Sequence, residues 1–509
     1  MRNFFRTYPG WAVLLIAGII QITAGSCGNI GDGRKLIDDG HPSEPAIVRT
    51  ILKDTTSFYW LDTKNYTGND PAVPIGVFDS GTGGLTVLEA ILALDMFNNS
   101  TGEQGSDNIP DFSDESFTYL ADQANMPYGV YYAEGKTDLL VEHIIKDLQF
   151  LLGDRYYAGE DAASFSTGKQ PVKAVVIACN TATAYGMTHI ESFLDSAGLD
   201  IRAFGVIDAG TRGALQCFST DEPGTIGVMA TVGTVASGGY EKSINRLRDE
   251  MGYRGDIRVV SLGGHGIAEA VDEEPDFYNR TLTAPRENYK GPSLSDTSYP
   301  IDRSLLEVYN FDYGDAKMLC DAGNPYDCTV MQINDPGNYI RYHLVTLLET
   351  MRKTPGYPEM KAIILGCTHY PYLTEEIRQV LNELYNFRSD GDYVYRHLMA
   401  EEVELIDPSV NVAIELYEWM RGASMQNASG GDGDGGHRFF ISVPNSDNPS
   451  VVVDAGGRFT YEYKYGRHAG EIQEYVKVVP FSPRNITDET LLRLEQFTPY
   501  SYKAIISNW

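Results

Sequence analysis

Between residues 73 and 420 the chain repeats one arrangement: a short, mainly apolar run, an abrupt small or polar turn, then a stretch compatible with a helix. The apolar runs fall at 74–78, 117–121, 172–178, 203–207, 225–229, 257–262 and 361–366. Consecutive positions on a strand face opposite ways, so runs whose apolar residues follow one another rather than alternate with polar ones predict strands buried on both faces of a parallel sheet. The stretches 85–96, 136–152, 182–194, 339–351 and 374–384 predict helices between them. In 136–152, for example, Leu139, Leu140, Ile144, Ile145 and Leu148 share one face. Alternation of strand and helix predicts the α/β class, with doubly wound sheets.

Two of the strands end in a cysteine. Val172–Ala178 runs into Cys179-Asn180-Thr181, and Lys361–Gly366 runs into Cys367-Thr368-His369-Tyr370-Pro371. Each thiol is thereby placed at the carboxyl end of a strand and the amino end of a helix, the edge where open α/β sheets carry their chemistry. Free N–H groups and the helix dipole at that end favour thiolate over thiol. A single cysteine in such a place is more often a buried structural residue. The duplicated unit instead predicts two related lobes, each offering a thiol to one cleft. Facing thiols suit a reaction in which one removes a proton from a carbon, the other returns a proton from the opposite side, and the configuration inverts.

Further segments, in order, carry a resemblance. They are Ile75-Gly-Val-Phe-Asp79-Ser80-Gly-Thr-Gly-Gly-Leu-Thr, Tyr119-Leu-Ala-Asp122 with Pro127-Tyr128-Gly129, the two cysteine segments, Ile226-Gly-Val-Met-Ala-Thr231 with Thr234 and Ser237-Gly-Gly-Tyr240, and Leu405-Ile406-Asp407. Together they resemble the cofactor-independent aspartate/glutamate racemase family, and within it the glutamate racemases. The resemblance implies two pseudo-symmetric doubly wound lobes with parallel-sheet cores. It also implies interconversion of L- and D-glutamate, an isomerase reaction, with peptidoglycan precursors as the use of D-glutamate and no cofactor or metal. Carried over residue by residue, Cys179 and Cys367 become the acid/base pair, assisted by Asp79 and His369. Asp79, Ser80, Tyr128, Gly129, Asn180, Thr181, Thr368 and His369 become the substrate contacts. By their residue types alone Asp79 is a helix cap, Pro127-Tyr128-Gly129 a turn, and Thr231 and Thr234 capping residues. The stretch Ser261-Leu-Gly-Gly-His265-Gly-Ile-Ala-Glu269 departs from the family, which has a Cys-Pro there and then a Glu. His265 is the substitute it offers, with a solvated loop histidine as the plainer expectation.

A formal net charge of −30 makes nucleic acid a poor partner, because phosphate binding needs basic patches. A small anionic substrate remains compatible, since backbone N–H groups at helix starts bind anions whatever the net charge. At the amino end, Arg2 and Arg6 precede the apolar run Trp11–Ile22 and then Ala24-Gly25-Ser26-Cys27. That order predicts a signal segment over 1–27, short for a membrane span, with Cys27 resembling a lipidated first mature residue; an uncleaved N-terminal anchor is the alternative and would also place the rest of the chain outside the cytoplasm. It places the chain in a bacterial cell envelope, lipid-anchored and facing the periplasm or exterior. A homodimer is compatible with the resemblance.

The remaining organisation follows from the resemblance for the two lobes and from composition for the linkers, the insertion and the extension. Residues 28–72 predict a linker with a short ordered piece at 49–61; the resemblance implies lobe one over 73–203 with 400–420 and lobe two over 204–399, interrupted by an insertion at 275–338. Residues 421–436 predict a Gly/Asp-rich linker and 437–509 a small β-rich C-terminal extension, where Phe459–Tyr465 alternates as a half-buried strand does. Cys320 and Cys328 form either a local disulfide or two free thiols. Two other functions stay open: a racemase of the same family acting on aspartate or another amino acid, and an exported amino-acid-binding protein on this fold without turnover. A cysteine hydrolase would leave the second thiol unexplained.

Overall fold

The computed structural model describes residues 44–427 and 436–509. The signal segment, Cys27 and residues 428–435 of the 421–436 linker lie outside the described residues. Two sheets organise the rest. The larger has six strands in the order Val476–Pro480, Arg438–Pro444, Phe117–Ala121, Ile75–Asp79, Ala174–Ile177 and Arg202–Gly205. Its neighbours are parallel except at the Val476–Pro480 edge. The smaller sheet is all parallel, in the order Met399–Ile406, Met360–Gly366, Gly224–Ala230 and Ile257–Gly263.

Continuous burial accounts for the central strands. Every residue of Ile75–Asp79, Phe117–Ala121, Ala174–Ile177 and Gly224–Ala230 is buried, because helices cover both faces. Register then sets the chemistry. Asp79 pairs with Ala121, and Phe78 pairs with Ile177, so Asp79 and the Cys179 turn leave the same sheet edge. In the other sheet Ala230 pairs with Gly366, which brings Thr231 beside Cys367.

Four expectations are corrected. The ordered piece expected at 49–61 begins earlier and belongs to lobe one rather than to a linker: the helix Ala46–Lys53 buries Ile47, Val48 and Ile51, and Phe58, Tyr59 and Leu61 join the lobe-one core. The apolar spacing in Ile47, Val48 and Ile51 is that of a helix face. The 400–420 segment divides between the lobes. Its strand hydrogen-bonds in the smaller sheet, while the helix Pro408–Gly422 buries Val412, Leu416 and Tyr417 in the lobe-one core. The C-terminal extension is not a separate β-rich piece. Its two strands extend the lobe-one sheet, where Phe440 packs between Phe150 and Tyr156, and it also carries the three helices Tyr461–Gly466, Asp488–Phe497 and Pro499–Ile506.

The alternating aromatics at 459–465 form the helix Tyr461–Gly466 rather than a strand. Thr460 caps it by accepting from Tyr463 N, and Tyr461 meets Tyr465 with ring centroids 4.6 Å apart. A period-two row also contains i, i+4 pairs, and the cap selects the helix. In the 275–338 insertion, Cys320 and Cys328 form a disulfide beside the short hairpin Met318–Cys320 with Met331–Ile333. Among the described residues no helix is long and apolar enough to cross a membrane.

Candidate active site

Both strand-end thiols line one cleft between the lobes. Its walls include Ser80, Tyr128, Gly129, Cys179, Asn180, Thr181 and Glu269, together with Asp272, Cys367, Thr368 and His369. The cleft is about 30 Å³, room for only a few water centres, and it adjoins a larger chamber of about 730 Å³ that shares Pro127, Gly129, Thr231, Glu269 and Glu274 with it. The chamber is walled by the insertion, through Lys290 and Tyr299, and by the extension, through Arg458, Tyr461 and Lys464. Part of the insertion thus lines the chamber next to the cleft. Lys464 donates to Met126 O, and burial brings its ammonium down to about 8.

On the lobe-one side Cys179 is the N-cap of the helix Asn180–Ala197, its Sγ 3.4 Å from Ala182 N and 3.8 Å from Ser80 Oγ. The helix start favours thiolate, as expected, but burial and then the charge of Asp79 outweigh it and push the thiol well above its ordinary range. Asp79 does cap its turn. Its Oδ2 accepts from Gly81 N at 3.1 Å and Gly84 N at 2.8 Å. A Cβ at Gly84 would stand 2.4 Å from Asp79 Cβ, so glycine is required there. Its other oxygen, Oδ1, is buried without a hydrogen-bond partner, and burial raises the carboxyl above its usual value. A cap satisfied through one oxygen with the second left bare is an arrangement that also presents an acid/base group.

On the lobe-two side the groups form a chain. Cys367 Sγ lies 3.5 Å from His369 Nδ1, His369 Nε2 lies 2.7 Å from Asp272 Oδ2, and Arg493 Nη2 donates to Asp272 Oδ1 at 3.1 Å. Burial alone would hold the imidazole down; the Asp272 charge and hydrogen bond, with Cys367, reverse this and hold it well above its ordinary value. Burial pulls Asp272 up, and His369 and Arg493 more than offset it, leaving the carboxyl below its usual range. Neither Asp272 nor Arg493 is visible in the sequence as a site residue. The only sequence signal for Asp272 is its place three residues beyond Glu269, one helical turn on.

The other candidates are placed as follows. Thr181, Thr231 and Thr234 bring their hydroxyls within 2.9–3.0 Å of one another across the lobe boundary. Thr231 also keeps the capping role, accepting from Thr234 N. Asn180 Oδ1 accepts from Tyr240 across the same boundary. Tyr128 departs from expectation: its hydroxyl is 2.7 Å from Asp122 Oδ2 and 2.6 Å from Asp147 Oδ2 in the lobe-one core. What it offers the cleft is the backbone of the turn, with Gly129 keeping clear a position where a Cβ would meet Thr231 at 2.9 Å. His265 stands outside the inner cleft, stacked on Tyr299 at 4.1 Å and bonded to Lys290 O, so it does not replace the missing Cys-Pro. Glu269 from the same segment does line the cleft, and burial raises its carboxyl. Among the described residues the one Cys/Asp group close enough for a metal, Cys320, Asp321 and Cys328, has its thiols joined to each other.

No family model matches the chain. Among curated proteins it is similar to the glutamate racemase of Syntrophus aciditrophicus, 33% identical over 250 residues, which cover 47% of this chain and 73% of the relative. It is also similar to the glutamate racemase of Ralstonia nicotianae, 25% identical over 325 residues, covering 64% of this chain and 76% of the relative. Among solved structures, glutamate racemase isoform RacE1 from Bacillus anthracis overlaps 72% of this chain and 88% of its own, at 23% identity and a TM-score of 0.41.

The raised Cys179 thiol is testable through its causes. Asp79→Asn keeps an acceptor for Gly81 and Gly84 but removes the charge, so the Cys179 titration moves to lower pH. Peptide-resolved alkylation with iodoacetamide at pH 8 is expected to be about threefold or more faster at Cys179 in the variant, with Cys217 unchanged as the internal reference. An equal or slower rate would remove Asp79 from the causes.

Proposed function

The chain belongs to the glutamate racemase family, and from that membership we propose that it interconverts L- and D-glutamate at Cα by two thiols and no cofactor. The observation that carries the reading is that Cys179 and Cys367, remote in sequence and on separate sheets, are buried in the walls of one cleft. In one direction the Cys179 thiolate takes the Cα proton and the Cys367 thiol gives its own proton to the opposite face. The reverse direction exchanges the roles. Between the two transfers the electron pair left at Cα needs support. The N–H groups at the start of Asn180–Ala197 and the polar groups of Asn180, Thr181 and Thr368 supply it in a closed, low-dielectric cleft. His369, held as imidazolium, donates Nδ1–H to Cys367 as that thiol becomes thiolate. Asp79 acts on Cys179, and Ser80 and the Tyr128–Gly129 backbone hold the substrate.

The same proposal places the enzyme in the bacterial cell envelope, anchored through a lipid on Cys27 and supplying D-glutamate for peptidoglycan. Its support is the order of Arg2, Arg6, the apolar run and Cys27. Membrane fractionation of cells expressing Cys27→Ser is expected to move the protein out of the membrane fraction; retention there would contradict the lipid anchor. A homodimer is compatible with the reading and is not needed by it, since both thiols come from one chain.

The reaction is tested with reduced protein and no added cofactor, following optical activity from L- or D-glutamate with aspartate in parallel. Cys179→Ala and Cys367→Ala are each expected to lower the rate by about 10²–10⁴-fold. A variant that racemises at the wild-type rate would contradict the two-thiol mechanism, and turnover confined to aspartate would contradict the substrate.

A further inference from the structure

The chain Cys367–His369–Asp272 ends on a residue of the C-terminal extension. We infer that Arg493 is a positioning residue: it fixes the Asp272 carboxylate so that His369 keeps its Nδ1 on Cys367. The inference deepens the proposed racemase reading and rests on it for its functional meaning, though not for its geometry.

Arg493 sits in the helix Asp488–Phe497, which Thr487 caps by accepting from Thr490 N. The guanidinium is anchored from three sides. Nη1 donates to Val271 O at 2.6 Å, Nη2 donates to Asp272 Oδ1 at 3.1 Å, and its plane lies 5.4 Å from the Tyr372 ring, which Phe497 backs at 5.5 Å. The next helix secures this one to lobe one, with Tyr500 N and Ser501 N donating to Glu89. The fork therefore arrives with its direction set.

Asp272 stands at a boundary. It lines the inner cleft, and it also lines a surface cavity of about 500 Å³ where Arg493 lies beside it. By taking Oδ1, Arg493 leaves Oδ2 for His369 Nε2 at 2.7 Å. With Nε2–H committed to Asp272, only Nδ1 is free to exchange a proton with Cys367 at 3.5 Å. Without Arg493 the carboxylate can turn toward the water of the outer cavity, and the imidazole loses the bond that fixes its tautomer and charge.

The sign of the effect separates positioning from mere proximity. The groups that act on His369 are Cys367, Asp272, Asp79, Glu269 and, beyond Asp272, Arg493. As a nearby cation only, Arg493 would repel the imidazolium, and its removal would make His369 hold its proton to higher pH. As a positioning residue, its removal weakens a 2.7 Å charge-assisted bond, and His369 releases its proton at lower pH.

The test uses full-length protein labelled with ¹⁵N-histidine, with His369→Gln to assign the signals, and reads the His369 ring nitrogens against pH. In Arg493→Met the midpoint is expected to fall by about one unit, a tenfold loss in the protonation equilibrium. Arg493→Lys should recover part of the shift, and Asp272→Asn should lower the midpoint at least as far. Turnover should show a lower kcat with the glutamate KM within about twofold, because Arg493 is not a cleft wall. If methionine at 493 unfolds the extension, Arg493→Gln, which keeps a donor toward Val271 O without the charge, is read the same way. A midpoint that is unmoved or raised in a folded variant overturns the inference. The ring titration does not depend on turnover, so it stays decisive even if no racemisation is found.

Discussion

Burial of two thiols in one closed cleft is the constraint on which the rest depends. Away from water a thiol resists becoming thiolate, and a carboxylate resists keeping its charge. A cleft that excludes solvent therefore needs fixed neighbours to set each proton. The two sides solve this differently. Cys179 has a helix start and Ser80 in its favour, with burial and Asp79 against it. Cys367 has a histidine whose charge is sustained by a carboxylate, itself held by a guanidinium. Pseudo-symmetric lobes thus carry an asymmetric electrostatic environment, so the two thiols are not interchangeable even though the reaction treats them as a pair.

The parts legible in the sequence were those determined locally. A strand–Cys–Thr–helix unit needs only its own apolar run and turn, and two of them were enough to place Cys179 and Cys367 at sheet edges. The parts that were not legible are set by contacts between distant segments. Asp272 looks like one more acidic residue after Glu269 until the fold brings His369 to it. Arg493 lies 221 positions from Asp272 and in a segment outside the racemase motifs. Tyr128 kept its place in the turn, but its hydroxyl was claimed by Asp122 and Asp147, a pairing no local pattern encodes. The alternating tyrosines at 461–465 misled for a different reason, since the same residues satisfy both a strand period and a helical i, i+4 pair.

The additions to the fold share one location. The insertion supplies Lys290 and Tyr299 to the outer chamber, and the extension supplies Arg458, Tyr461 and Lys464. The extension also threads two strands onto the lobe-one sheet and sends Arg493 to lobe two. It spans the cleft rather than trailing from it. Any motion that parts the lobes has to deform or release contacts made by this segment, including the one that reaches Asp272.

The measurement that bears most directly on the central claim is the early isotope pattern in heavy water. Starting from protiated L-glutamate, the account predicts that D-glutamate formed in the first few per cent of conversion carries deuterium at Cα while the remaining L-glutamate stays protiated. The abstracted proton stays on one thiol, and the delivered one comes from the other, exchanged with solvent. D-glutamate that retains the original proton would mean a single group carrying it across both faces, and would contradict the two-thiol cleft.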